Sequence, residues 1–232
     1  GGGARRGECW FCLASPGVEA HLVASIGEEL YLSLPKGALV EDHVQLIPIT
    51  HVARHSGLPP EAQREARKYK AALQEYYNAR GMALVTIERN MAKDAESSTA
   101  HMFIECMPVE LEKLDTVKKA FQEEGEATGC AFEDVDENTE LASLLSREQK
   151  YFLVEIYPAR GVRGASRLLH WLEDSISASA TFGLQFGREV MARCVYGCPD
   201  RANWKNCKLT TEEETKQTAQ FKKAFGRYDF TL

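Results

Sequence analysis

Residues 43–51, HVQLIPITH, run as a short strand that stops at Pro48 and leaves His51 just beyond it; residues 100–109, AHMFIECMPV, run as another with His101 at its head. Upstream, residues 9–12 read CWFC. Two thiolates and two imidazoles complete a tetrahedral Zn2+ shell, and two thiolate charges balance the ion, so the site can be buried as a neutral group. A CxxC alone is a weak signal, and the reading depends on which histidines join Cys9 and Cys12. His51 and His101 stand at the ends of strands that can neighbour each other in one sheet. His21, His43, His55 and His170 are the competitors, each more often a hydrogen-bond partner than a ligand. Cys106 lies five positions past His101, an odd offset that turns it to the opposite sheet face as an apolar filler.

Around these two strands the chain alternates short apolar runs with turns. HLVASIG and EELYLSLPKG read as strands before HVQLIPI, and MALVTIERN as one before AHMFIECMPV, which gives five antiparallel strands. Between them, residues 59 to 80 carry Pro at the start, helix formers throughout and Gly81 just past the end, the pattern of a long helix. A long helix crossing a five-stranded sheet is an α+β unit. After Pro108, LEKLDTVKKAFQEEGEATG reads as an amphipathic helix, EDVDENTE as an exposed acidic loop and YFLVEIYP as a strand. SRLLHWLEDSI and FGLQFGREVMARCVYG look helical, and a last helix follows, with Thr211 and Glu214 in capping-box spacing. We place the boundary between two domains near residue 110, without a flexible linker, so the parts share a surface.

With 232 residues, 44% of them hydrophobic, the chain can bury a sizeable core. Its net charge of −6 argues against a surface given over to nucleic-acid phosphates, though local basic patches remain open. No apolar run approaches the ~18 residues that span a bilayer, and no signal peptide opens the chain. Seven cysteines, scattered apart from the CxxC, fit reduced thiols and a metal better than a disulfide framework. Residues 1–7, GGGARRG, read as a flexible linker, and the expectation is a piece of a longer protein.

The order CxxC, LIPITH, helix, then a strand opening with His resembles zinc-containing members of the histidine-triad (HIT) superfamily over residues 8 to about 109. The resemblance implies one structural Zn2+ held by Cys9, Cys12, His51 and His101. More specifically, ECWFCLASPGVEAHLV, KGALVEDHVQLIPITH and ERN resemble the first C-terminal domain of the CwfJ family of splicing-associated proteins. FGLQFGREVMA, PDRANWKNC and EEETKQTAQFKKAFGRYDFTL resemble its second, so residues 8–110 and 111–232 would be the two domains, the second a smaller α+β unit. The branch that fits best includes lariat-debranching-associated factors, whose longer members carry a metallophosphoesterase-like region upstream.

Triad enzymes place three histidines at alternate positions of one strand, and the middle one attacks a nucleotide phosphate. Here that stretch reads His101-Met102-Phe103-Ile104-Glu105. Phe103 has no lone pair to attack phosphorus, and Glu105 brings negative charge to where a phosphate would lie. Nucleotidyl-histidine chemistry is excluded at this place unless His21 or His43 reaches it. The resemblance also puts Asn90 and Ser98 at positions lining the nucleotide pocket, so a degenerate pocket of Asn90, Ser98, Phe103 and Glu105 could bind without cutting.

In the second half Cys194, Cys198 and Cys207 lack a fourth ligand for a metal; Cys194 reads as buried in a helix, and Cys207 follows Trp204 in a packing motif. Arg160, Arg163 and Arg167 lie in a glycine-rich connection, Arg188 in FGLQFGREV, and Lys222, Lys223 and Arg227 near the C-terminus; these are the candidate RNA or partner contacts, against the default of solvated surface. Phe225, Tyr228 and Phe230 are expected to dock the C-terminus onto the first domain. The expectation is a nuclear, non-catalytic module with partners among RNA, branched or single-stranded, a lariat-debranching enzyme and late-spliceosome proteins. The alternative is a HIT-type nucleotide hydrolase or RNA-processing enzyme with a non-standard site.

Overall fold

A computed structural model describes residues 9–91, 100–136, 138–145, 149–159, 161, 165–172, 183 and 185–232. Its centre is an antiparallel sheet of eight strands: β1 Val23–Ile26, β2 Leu30–Ser33, β3 Val44–Pro48, β4 Met82–Asn90, β5 Ile104–Glu110, β6 Glu133–Val135, β7 Lys150–Tyr157 and β8 Ser166–Leu172. The spatial order is β1-β2-β3-β5-β4-β7-β8-β6, so strands from both halves of the chain form one ladder. The seam is the β4/β7 pair, which runs in register from Leu84 opposite Tyr157 to Asn90 opposite Tyr151.

Helices α1 (Pro60–Asn78), α2 (Leu114–Ala127), α3 (Leu141–Leu144), α4 (Phe186–Val190) and α5 (Thr211–Phe225) complete the α+β fold. α1 opens on Pro60, whose missing N–H costs nothing in a first turn, and ends before Gly81, which takes a left-handed φ of 72°. Strand alternation then sorts the core. Leu32, Leu46, Leu84, Ile104 and Cys106 meet Tyr69, Leu73 and Tyr76 of α1 and Phe221 and Phe225 of α5 on one face. Val85, Ile87, Met107, Phe152, Val154 and Leu168 meet Phe121 of α2 and Phe186 and Val190 of α4 on the other.

Four expectations are corrected. SRLLHWL is strand β8, not helix. It is buried on both faces, Leu168 in the α2 core and Leu169 against Leu145 and Tyr151, and such a strand reads as an apolar run that periodicity cannot tell from a helix. The acidic stretch contains β6, paired with β8; charged Glu133 and Asp134 suit a short outermost strand because they discourage further pairing. The capping box belongs to Thr210 and Glu213, one residue earlier than the spacing suggested. β5 begins at Ile104, so His101 precedes the strand by three residues.

The C-terminal aromatics close onto α1 as expected. Tyr76 meets Phe221, Phe225 and Tyr228 with ring centroids 5.5–5.6 Å apart, and Tyr69 meets Phe230 at 4.7 Å.

A candidate metal centre at the mouth of an aromatic cavity

β3 ends at Pro48, and three residues later the chain presents His51; the segment before β5 presents His101 beside it. The Met102 N–H donates to the Val52 carbonyl at 2.8 Å, which ties the two histidine-bearing segments together. The CWFC turn is anchored separately, by the Tyr31 hydroxyl of β2 donating to the Phe11 carbonyl at 2.6 Å. These contacts bring Cys9, Cys12, His51 and His101 into one partly buried cluster whose ligand atoms lie within 4.8 Å of one another. Cys9 Sγ is 3.4 Å from His101 Nδ1, Cys12 Sγ 3.3 Å from His51 Nδ1 and 3.6 Å from His101 Nδ1. Bond lengths of about 2.3 Å to sulfur and 2.05 Å to nitrogen in a tetrahedron place S and N about 3.5 Å apart, close to these separations.

The protonation geometry also suits a cation. His101 Nε2 lies 2.9 Å from the Pro48 carbonyl; a carbonyl only accepts, so the proton is on Nε2 and the Nδ1 lone pair faces the cluster. Burial, helped by nearby His51 and opposed by the Pro48 bond, holds the imidazole down to about 4, which keeps it neutral at physiological pH. Burial and neighbouring Cys9 push the Cys12 thiol up to about 11, so this pair of sulfurs is not a stable dithiolate without a positive ion between them. An ion held by all four side chains would have no coordination place left for water or substrate, the arrangement of a structural rather than a catalytic centre.

Beside the cluster opens a cavity of about 720 Å3 lined by residues of β2, β3, β4 and β5 and by Phe152, Gln185, Gly187, Arg188 and Trp204 of the second half. Trp10, Phe11, Tyr31, Phe103, Phe152 and Trp204 give it aromatic sides. Phe11 packs on Phe103 with centroids 5.1 Å apart, so the CWFC turn that contributes two ligands also contributes wall. The second-half wall approaches closely at Gly37, whose φ is 71°, and a Cβ there would collide with the Trp204 carbonyl.

His101, Phe103 and Glu105 all line this cavity, together with Met102 from the segment before β5. Glu105 accepts from His43 Nε2 at 2.6 Å and from Gln45 Nε2 at 3.0 Å. Burial pushes its carboxyl up, but His43, Gln45 and more distant Arg188 outweigh this and hold it below the ordinary carboxylate range. His43 Nδ1 accepts the Leu39 N–H at 3.1 Å, so its proton is on Nε2 and is donated to Glu105. Both ring nitrogens are spent. His21 is likewise held, with Nε2 2.7 Å from Glu214 of α5, and it does not line the cavity.

Of the remaining expected site residues, Asn90 is buried on the α1 side of β4, in phase with Leu84 and Glu88, and does not line the cavity. Its neighbour Arg89 does. Ser98, Arg160 and Arg163 lie outside the described residues. Arg167 is turned inward, to Glu155 at 3.1 Å and the Thr139 carbonyl at 2.7 Å, and is not a free surface cation. Arg188 lines the cavity while donating to the Arg201 and Ala202 carbonyls and to Cys207 Sγ. Lys222 and Lys223 are exposed in the last turn of α5, and Arg227 stacks on Tyr228 at 4.7 Å. Gln45, Arg89, Trp10 and Trp204 were not singled out from sequence. Gln45 had a signal, since it is the one polar residue between the apolar residues of β3.

Two family profiles cover nearly all of this architecture. "Protein similar to CwfJ C-terminal" matches residues 3–122, and "Protein similar to CwfJ C-terminus 2" matches residues 126–231. The chain belongs to the CwfJ C-terminal family. CWF19-like protein 1 of Xenopus laevis is 35% identical over 229 residues, covering 97% of this chain and 39% of that protein. CWF19-like protein 1 of Homo sapiens is 34% identical over 227 residues, with 97% and 39% covered. A protein of Arabidopsis thaliana called "Zinc finger CCCH domain-containing protein 64" is 35% identical over 227 residues, with 97% and 36% covered. This CwfJ-type chain therefore spans about two fifths of the length of the relatives it matches.

Proposed function

We propose that the chain is a non-catalytic, zinc-stabilised module with a HIT-like first domain, which binds RNA, protein partners or both in the nucleus. Its place would be pre-mRNA splicing, at late spliceosome disassembly and intron-lariat turnover, as a cofactor of debranching. Family membership supports the splicing-related role. The observation that carries the non-catalytic reading is the cavity face on which His101, Phe103 and Glu105 stand together. In the triad arrangement the middle place must hold a nucleophile, and Phe103 is none. Neither candidate replacement is available, because His43 has no free ring lone pair and His21 is engaged by Glu214 outside the cavity. What remains is a space of nucleotide size with aromatic walls and polar groups, suited to binding.

Zinc is the ion best suited to two sulfurs and two nitrogens in tetrahedral spacing. It would hold the CWFC turn against the β3 and β5 segments and so fix Trp10 and Phe11 in the cavity wall. The test is electrophoretic retardation of linear and branched RNA by the metal-loaded chain, together with capture of a debranching enzyme. Retardation of intact RNA or capture of the enzyme is the expected result. Binding to neither class of partner, or breakdown of the RNA, would overturn the proposal.

A further inference from the structure

Within the cavity two charged side chains face one space with binding capacity left over. Glu105 is ionised, and His43 and Gln45 each occupy one lone pair of one carboxylate oxygen, which leaves an acceptor site on both oxygens. Arg89 is the second: it lines the cavity, and its buried Nε has no hydrogen-bond partner among the described residues. Ile87 pairs with Glu105 across β4 and β5, so Arg89 lies two residues, about 7 Å, further along the same face. Trp10, Phe11, Phe103 and Trp204 supply flat apolar surface around them.

A matching occupant must offer two adjacent N–H donors to the carboxylate, a flat π face to the aromatics and negative charge to Arg89. Guanine presents N1–H and N2–H on its Watson–Crick edge, whereas adenine presents a donor beside an acceptor, whose lone pair would face the carboxylate. An arginine side chain also offers a two-pronged donor, but as a cation it would be placed beside Arg89 and near Arg188, which line the same cavity. We infer that the cavity is a guanine-nucleotide subsite for RNA, with Glu105 reading the base edge, the aromatic walls stacking on the ring and Arg89 receiving the phosphate. This deepens the RNA arm of the proposed function and rests on that reading.

Calorimetric titration of the zinc-loaded chain with GMP, AMP, guanosine and acetyl-arginine amide tests it. GMP is expected to bind at least about tenfold more tightly than AMP, the discrimination typical of one bidentate contact. Glu105→Gln, which places an N–H2 against the guanine donors, should abolish that preference. Arg89→Ala should weaken GMP about tenfold and leave guanosine unchanged; the Nε it removes has no hydrogen-bond partner among the described residues, so no bond to that atom is lost. Equal affinity for GMP and AMP, no nucleotide binding, or tighter binding of acetyl-arginine amide would overturn the subsite. RNA retardation without guanine preference would sink the subsite and leave the binding module standing. Guanine preference together with breakdown of GDP incubated with the same chain would uphold the subsite and sink the non-catalytic reading.

Discussion

His101 illustrates how one side chain serves two neighbours at once: Nε2 is fixed on the Pro48 carbonyl, and that bond leaves Nδ1 free for the cluster. Replacing it, or Cys9, should release the metal and the free energy that binding contributes to folding. Cys9→Ser and His101→Ala are each expected to cost about 3 kcal/mol or more, roughly 10 °C in Tm for a chain of this size. Thermal melts with matched metal analysis check this, and a variant that keeps both metal and Tm would refute it. The quartet was legible in sequence because CxxC spacing and strand-terminal histidines are local patterns. The cavity was less so. Alternation reveals that Arg89 and Asn90 face opposite ways, but not which face carries the opening; Asn90 was implied by the family resemblance, and the structure turns Arg89 to the cavity instead.

Among the elements, α5 shows the clearest division of labour. Thr210 and Glu213 satisfy orphan backbone donors at its start, while Phe221 and Phe225 are buried against Tyr76 of α1. Thr210→Ala should cost about 1 kcal/mol, the usual value of an N-cap. Phe225→Ala should cost about 3–5 kcal/mol, because it empties a packed aromatic site. Urea denaturation of the two variants distinguishes them, and equal losses would contradict this account of the helix. The docking aromatics and long helix α1 were readable because their signals lie in residue type and period. β8 was not: Leu168 and Leu169 are buried on opposite faces, and only pairing with β7 makes that a strand. The edge of β7 is what the local sequence cannot display.

For the whole molecule, the seam between β4 and β7 is the feature that matters most, because it merges the two family regions into one sheet. A buried charge cluster crosses the same seam. Lys70 of α1 donates to Glu155 of β7, and Arg167 of β8 reaches the other oxygen. Burial opposes the charge on Glu155, but Lys70 and then Arg167 outweigh it and hold the carboxyl below its ordinary range. A depressed carboxylate contributes stability that is fully present above the unfolded pKa, about 4.3, and is lost as pH falls through the folded value. Stability should thus drop on acidification below about pH 4.3. Lys70→Met should cost about 3 kcal/mol at neutral pH, since it removes one partner of a buried pair, and should shrink the acid loss, since the Glu155 carboxyl is then less depressed. Melting curves across pH test both, and an unchanged acid profile in the variant would contradict them.

The shared sheet predicts further that residues 1–122 made alone expose the β4 edge and aggregate, while co-production with residues 126–232 restores a soluble pair. Soluble, monomeric behaviour of the first piece alone would argue for two independent domains. On the proposed reading a metal held by Cys9, Cys12, His51 and His101 would clamp the N-terminal turn onto the sheet and so fix the cavity wall. The most direct test is therefore elemental analysis of the full chain purified without added metal or chelator. One zinc per chain is the predicted result; a folded chain carrying no zinc would contradict the account.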